Sequence, residues 1–186
     1  MREFVRPMAA ALSVACLAVA IVTASAGEAL AQAAPAQPPA VKQIALTDKQ
    51  IEGVLAAQQD MDAIAAKLTG NAPPDPRITA QIEAAARKNG FAGYDEYSNV
   101  VDNISIVLAG FDPATKQYVG TETVIKAQIA KVEADKKMSP NDKKEALAEL
   151  NDALKAPMPP IENKGNIDLV AKYYDKLADA LGDDQE

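Results

Sequence analysis

Residues 94–111 read YDEYSNVVDNISIVLAGF. Tyr97, Val100, Val101, Ile104, Val107, Leu108 and Phe111 recur at intervals of three and four over about four turns, the period of an amphipathic helix. Asp95, Ser98, Asp102 and Asn103 fill the polar side. Taken alone, SIVLAGF has the β-branched and aromatic content of a strand. The period of the whole segment selects a helix, and its strength marks it as the central helix of a core.

Upstream, two more helices are predicted. Thr47 is placed to cap the first, with Gln50 at the third helical position for the reciprocal bond and Leu46 set to staple against Ile51. Ile51, Val54, Leu55, Met61, Ile64, Ala65 and Leu68 mark its inner face, and Gly70 followed by Asn71-Ala72-Pro73-Pro74 stops it. The second opens at Asp75-Pro76, a cap followed by proline at the first helical position. Ile78, Ile82, Ala85 and Ala86 line it. Lys88-Asn89-Gly90 closes it, with Phe91 folding back on the last turn.

Downstream, DPATKQYVG (112–120) reads as a tight turn built on Asp-Pro that returns Tyr118 and Val119 to the body. Thr121 is then the expected cap of a fourth helix with apolar face Val124, Ile125, Ile129 and Val132, narrowed by Gln128. Lys136 and Lys137 are expected in its last turn, where they suit the helix dipole. Ser139-Pro140-Asn141-Asp142 opens a fifth helix lined by Ala146, Leu147, Leu150, Ala153 and Leu154. So short a break predicts an antiparallel hairpin. After a proline-rich crossover over 156–166, a last helix starts near Asn166. Val170, Tyr173, Tyr174, Leu177 and Leu181 face inward, and Gly182 ends it. The fold class is therefore all-α, an irregular bundle of about six short helices without a convincing strand pair or internal repeat.

The first forty residues have another character. Arg2 and Arg6 precede an uncharged run from Met8 to Ala26, and Ala29-Leu30-Ala31 supplies a small-residue exit. Positive start, apolar middle and small-residue exit are the order of a secretory signal. Residues 1–31 are accordingly expected to be removed, with cleavage after Ala26 as the alternative. A disordered Ala/Gln/Pro-rich leader follows over 32–42, then one domain over 43–182 and a solvated tail over 183–186. Two acids and two bases leave with the signal, so the net charge stays at −7. The expected location is periplasmic or secreted, with no stable membrane insertion after cleavage.

Composition excludes much chemistry. The chain has no histidine, and Cys16, its single cysteine, lies in the signal. Ser-His and Cys-His nucleophiles are thus ruled out of the mature protein, and zinc, copper and iron lose their usual ligands. Asp60 with Asp62, Asp95 with Glu96, and Glu145 with Glu149 are neighbouring carboxylates without aromatic residues clustered on their own helix face, as a sugar site would present. They read as solvated surface. Calcium is the metal the composition permits, at Asp112, Thr115 and Glu122, although Lys116 sits in the middle and the acidic alternation of a calcium loop is missing. No cofactor is expected. The acidic balance argues against nucleic acid and against anionic lipid.

What remains is recognition. Tyr94, Tyr97, Tyr173 and Tyr174 are four of the seven aromatic residues outside the expected signal. Adjacent helical residues point about 100° apart, so Tyr173 and Tyr174 cannot both point straight inward. An exposed tyrosine can anchor a partner.

The segments LTDKQ (46–50), KNGFAGYDEYSNVVDNI (88–104) and NKGNIDLVAKYYDKL (163–177) resemble a group of small exported alphaproteobacterial proteins. That likeness covers nearly all of the mature chain and brings no catalytic or binding residues with it. Leu46-Thr47-x-x-Gln50 also resembles the first motif of the periplasmic Spy and CpxP chaperone family, which implies a chaperone-like role. The family's second motif is missing, and the acidic charge does not match its positively charged cradle. The leading expectation is a non-enzymatic periplasmic protein that binds a partner or serves envelope homeostasis. A small-molecule or lipid binder with a pocket between helices is the alternative.

Overall fold

The computed structural model describes residues 41–67 and 75–182. The expected signal, leader residues 32–40, Leu68, the stop at 70–74 and the tail lie outside the described residues. Among the described residues six helices run in order: α1 (Asp48–Ala65), α2 (Pro76–Lys88), α3 (Tyr94–Leu108), α4 (Thr121–Ala134), α5 (Pro140–Lys155) and α6 (Gly165–Gly182). Between α3 and α4 lies a minimal antiparallel pair, β1 (Phe111–Asp112) and β2 (Gln117–Tyr118), with Phe111 opposite Tyr118. The all-α class and six-helix count match the sequence pattern. No helix among the described residues is long and apolar enough to cross a membrane.

Local signals set most boundaries. The Thr47–Gln50 capping box is complete. The Asp75 carboxylate accepts from the Arg77 amide, and the Ser139 hydroxyl accepts from the Asp142 amide. At the end of α2, Gly90 takes φ +95°, its amide donates to the Arg87 carbonyl, and the Phe91 amide donates to that of Ala86. Those two bonds are the Schellman pattern, and they turn Phe91 into the core.

The body consists of α1, α2, α3 and α6, which pack pairwise with α1 and α3 shared among the most neighbours. Ile51, Val54, Ala57, Val100, Ile104, Val170 and Leu177 are wholly or almost wholly shielded from water, and Leu46 and Phe91 seal the edges. Val101 and Leu108 pack against this core half-buried. Gly53 lets α1 approach the α2–α3 corner. A Cβ there would lie 2.8 Å from the Asn89 carbonyl oxygen and 3.1 Å from the Phe91 ring.

The structure corrects six local expectations. Ala65, expected on the inner face of α1, is exposed, and so is Val119, expected to return to the body. Asn103 is buried, not on the polar side of α3. Phe111 lies beyond α3, where β1 turns its ring against Tyr118 and Tyr174. Gly120 is the cap residue of α4, and Thr121 is already its first helical residue. The +88° φ of Gly120 swings the chain from β2 into the helix, so no side-chain cap forms. Finally, Lys136 and Lys137 lie beyond the end of α4. There the Asp135 carboxylate accepts from the amides of Lys137 and Met138, and Lys143 reaches back to the carbonyls of Glu133 and Asp135.

The α4–α5 hairpin forms as expected but stands apart. Its helices pack chiefly on each other, and α4 reaches the body through β1. Val124 is their one buried residue, and α5 has none.

Gly53→Ala tests the packing of the body. On an unobstructed helix the change would gain roughly 0.5–1 kcal/mol from propensity. Here it is expected to lose about 1–3 kcal/mol by overpacking, read as a lower urea midpoint at unchanged slope.

Candidate functional site

The segment that enters the body, residues 42–46, runs extended before the α1 cap, with no backbone ladder to join. Two buried asparagines supply one. Asn103 on α3 accepts from the Ile44 amide at 2.9 Å and donates to the Lys42 carbonyl at 3.0 Å. Asn166, in the first turn of α6, accepts from the Leu46 amide at 2.8 Å and donates to the Ile44 carbonyl at 2.8 Å. A residue in a parallel strand bonds its partner in this way, bridging the carbonyl of one residue and the amide two places on. The side-chain amides therefore stand in for strand residues opposite Gln43 and Ala45. Asn99 adds a second donor to the Lys42 carbonyl, and the Gln43 side chain clasps the 160–162 crossover through the Pro160 carbonyl and the Glu162 amide. Leu46 is buried and Ile44 packs against the core.

Beside this clamp, where the starts of α1 and α6 meet, Thr47, Asp48, Asn163, Lys164, Gly165 and Leu169 line an open depression. Asp48 bonds Lys172 and accepts the Tyr173 hydroxyl at 2.8 Å; Glu52 accepts the same hydroxyl at 3.0 Å. Lys172 and Tyr173 hold the Asp48 carboxyl below its ordinary range. Asp48, and then burial, push the Tyr173 hydroxyl above its usual value. The Asp48 contribution to stability is thus present above the unfolded carboxylate pKa and lost as pH falls through the lower folded value. That of Tyr173 is present below the unfolded phenol pKa and lost as pH rises through the raised one.

The tyrosines divide into two places. Tyr173 and Tyr174 are both half-buried and point to different neighbours, Tyr173 to α1 and Tyr174 to Phe111 at 5.3 Å between ring centroids. Tyr97 is buried, edge-on to Phe91, and Tyr94 stacks on it at 6.1 Å with 41% of its surface exposed. Burial raises the Tyr97 hydroxyl. In the β1–β2 turn, the Asp112 carboxylate accepts from the Ala114 amide and the Thr115 hydroxyl, while Glu122 pairs with Lys126. Asp112 and Thr115 are brought together, and Glu122 is engaged elsewhere. Among the described residues no three or more Asp, Glu, Cys or His side chains gather as a metal site.

Sequence reasoning missed the Asn103–Asn166 clamp. One signal was available: Asn103 follows Asn99 by four positions on α3, and Asn166 stands at the start of the last helix. No protein-family model, curated protein or solved structure matches this chain.

Two predictions follow from the clamp and its neighbour. Asn166→Ala orphans the buried Leu46 amide and frees the part-buried Ile44 carbonyl, and should cost roughly 1–3 kcal/mol in all, chiefly for the amide. The exposed Asn151→Ala should stay within about 0.5 kcal/mol in the same denaturant titration. Asp48→Asn should bring the Tyr173 hydroxyl down toward the free-phenol value of about 10 while leaving Tyr97 raised. Ring resonances followed by NMR across alkaline pH report both groups, and an unmoved Tyr173 would contradict the assignment.

Proposed function

We propose that this is a non-enzymatic periplasmic protein that binds another protein in the service of the cell envelope, with the α4–α5 arm as its contact element. One observation carries the reading. Two helices of 14 and 16 residues place a single side chain, Val124, in the buried class. Ile125, Ile129, Val132, Leu147, Leu150 and Leu154 are only half-buried. A helical layer normally hides its apolar stripe against a further layer. A lone hairpin shields the facing sides and leaves the flanks partly wet, so the arm adds little to the body and keeps apolar surface available for a partner. Tyr94, held flat on Tyr97, offers a second anchor of the kind enriched at interfaces.

Photo-crosslinking in the native periplasm tests the proposal. A photoreactive residue at Leu150 is expected to yield discrete protein adducts that the same residue at Thr79, on the exposed side of α2, does not. Matching patterns at the two positions would refute the arm as a contact element. Native mass spectrometry of protein from the same source addresses the alternative, since a co-purifying small molecule would favour a ligand binder.

A further inference from the structure

Independently of the arm, we propose that the groove that holds residues 42–46 is a receptor for an extended segment of another protein, with the chain's own strap as a displaceable occupant. The incoming segment would carry apolar residues two positions apart, as Ile44 and Leu46 are. Asn103 and Asn166 are 3% and 4% exposed, and each directs both ends of its amide at strap backbone. None of those four bonds reads a side chain. Any non-proline residues in extended conformation present the same carbonyl, amide, carbonyl, amide series along one edge. Peptide recognition by strand addition works by this division: main-chain bonds supply affinity and alternate side-chain slots supply selectivity. The strap supplies both apolar side chains, Leu46 in the core and Ile44 packed against it, whereas the intervening Ala45 is exposed. It also adjoins the open depression that Ala45, Leu46 and Asn166 help to line. Its departure need unwind no helix, because Thr47 already has extended backbone at φ −125°, ψ 155°.

The test uses the whole mature chain and a fluorescent peptide of residues 41–47, VKQIALT. Ile44→Pro removes the amide that Asn103 accepts from and vacates the Ile44 position, leaving the groove's asparagines intact. The peptide should bind this variant saturably and at least about tenfold more tightly than wild type, where the tethered strap competes at high effective concentration. Adding Asn103→Ala, or using a peptide with proline at the Ile44 position, should abolish that gain. A folded Ile44→Pro chain with no saturable binding overturns the proposal. So does concentration-dependent dimerisation of the wild type that excludes the peptide, which would assign the groove to a second copy. Should Ile44→Pro fail to fold, hydrogen exchange on the wild type decides. A displaceable strap requires the Ile44 and Leu46 amides to exchange at least ~10-fold faster than those of Val100 and Ile104, through local opening. Equal rates would mean that the strap leaves only on global unfolding, and would overturn the proposal.

Discussion

An extended chain that enters a helical core brings backbone amides and carbonyls, part-buried at Lys42 and Ile44 and buried at Leu46, to a place where no sheet pairs them. That constraint shapes this protein. Each buried group left unpaired would cost about 1–3 kcal/mol, a large share of the margin by which a domain stays folded. Asn103 and Asn166 meet it at one point on each of two helices, so the strap, α3 and α6 share the same bonds. Because Leu46 is held on one side of Thr47 and Ile51 on the other, the clamp also fixes how α1 enters the core.

The rest of the body is conventional helical packing, and its described residues include no cysteine to form a disulfide. The single cysteine falls in the expected signal, and the ion pairs, Lys88–Asp60 and Lys116–Asp175 among them, are largely solvent-exposed. Such pairs contribute little individually. Stability therefore rests on the fully shielded Ile, Leu and Val side chains, together with close approaches such as Gly53 against Asn89 and Phe91. The arm lies outside this scheme. Its link to the body runs through β1, a two-residue strand whose Phe111 is buried among Tyr118 and Tyr174. That aromatic knot lets a hairpin project without a broad apolar interface beneath it.

How much of this was legible in the sequence depends on whether the deciding interaction is local. Helix starts at Thr47, Asp75 and Ser139 and the stop at Gly90 were legible because caps and a left-handed glycine act within a few residues. The inward stripe of α3 was legible because periodicity is also local. Asn103 was misplaced because its partners lie 59 and 61 residues away, at Ile44 and Lys42, and nothing near it in the chain announces them. Thr121 misled for a different reason. Its letters fit a cap, but the turn out of β2 required a positive φ, which only Gly120 could take cheaply. The separateness of the arm was only hinted at by Gln128 in the α4 stripe, because a stripe shows which face is apolar and not what covers it.

The two surfaces proposed for recognition obey different physics, and this bears on what each could select. The arm offers side chains on a hairpin, so its choice of partner depends on matching shape against Ile125, Ile129, Leu147 and Leu150. The clamp offers amides that bond any non-proline backbone equally well, so its selectivity falls to the two apolar positions. A backbone reader of that kind is broad by construction, and a broad reader exposed at all times would also be a site for adventitious strand pairing. Carrying its own matching segment answers that hazard. The strap satisfies Asn103 and Asn166 whenever no other chain does, and a competing segment must outbind a ligand tethered directly to α1. The same four bonds that complete the fold would then set the threshold for admitting a partner.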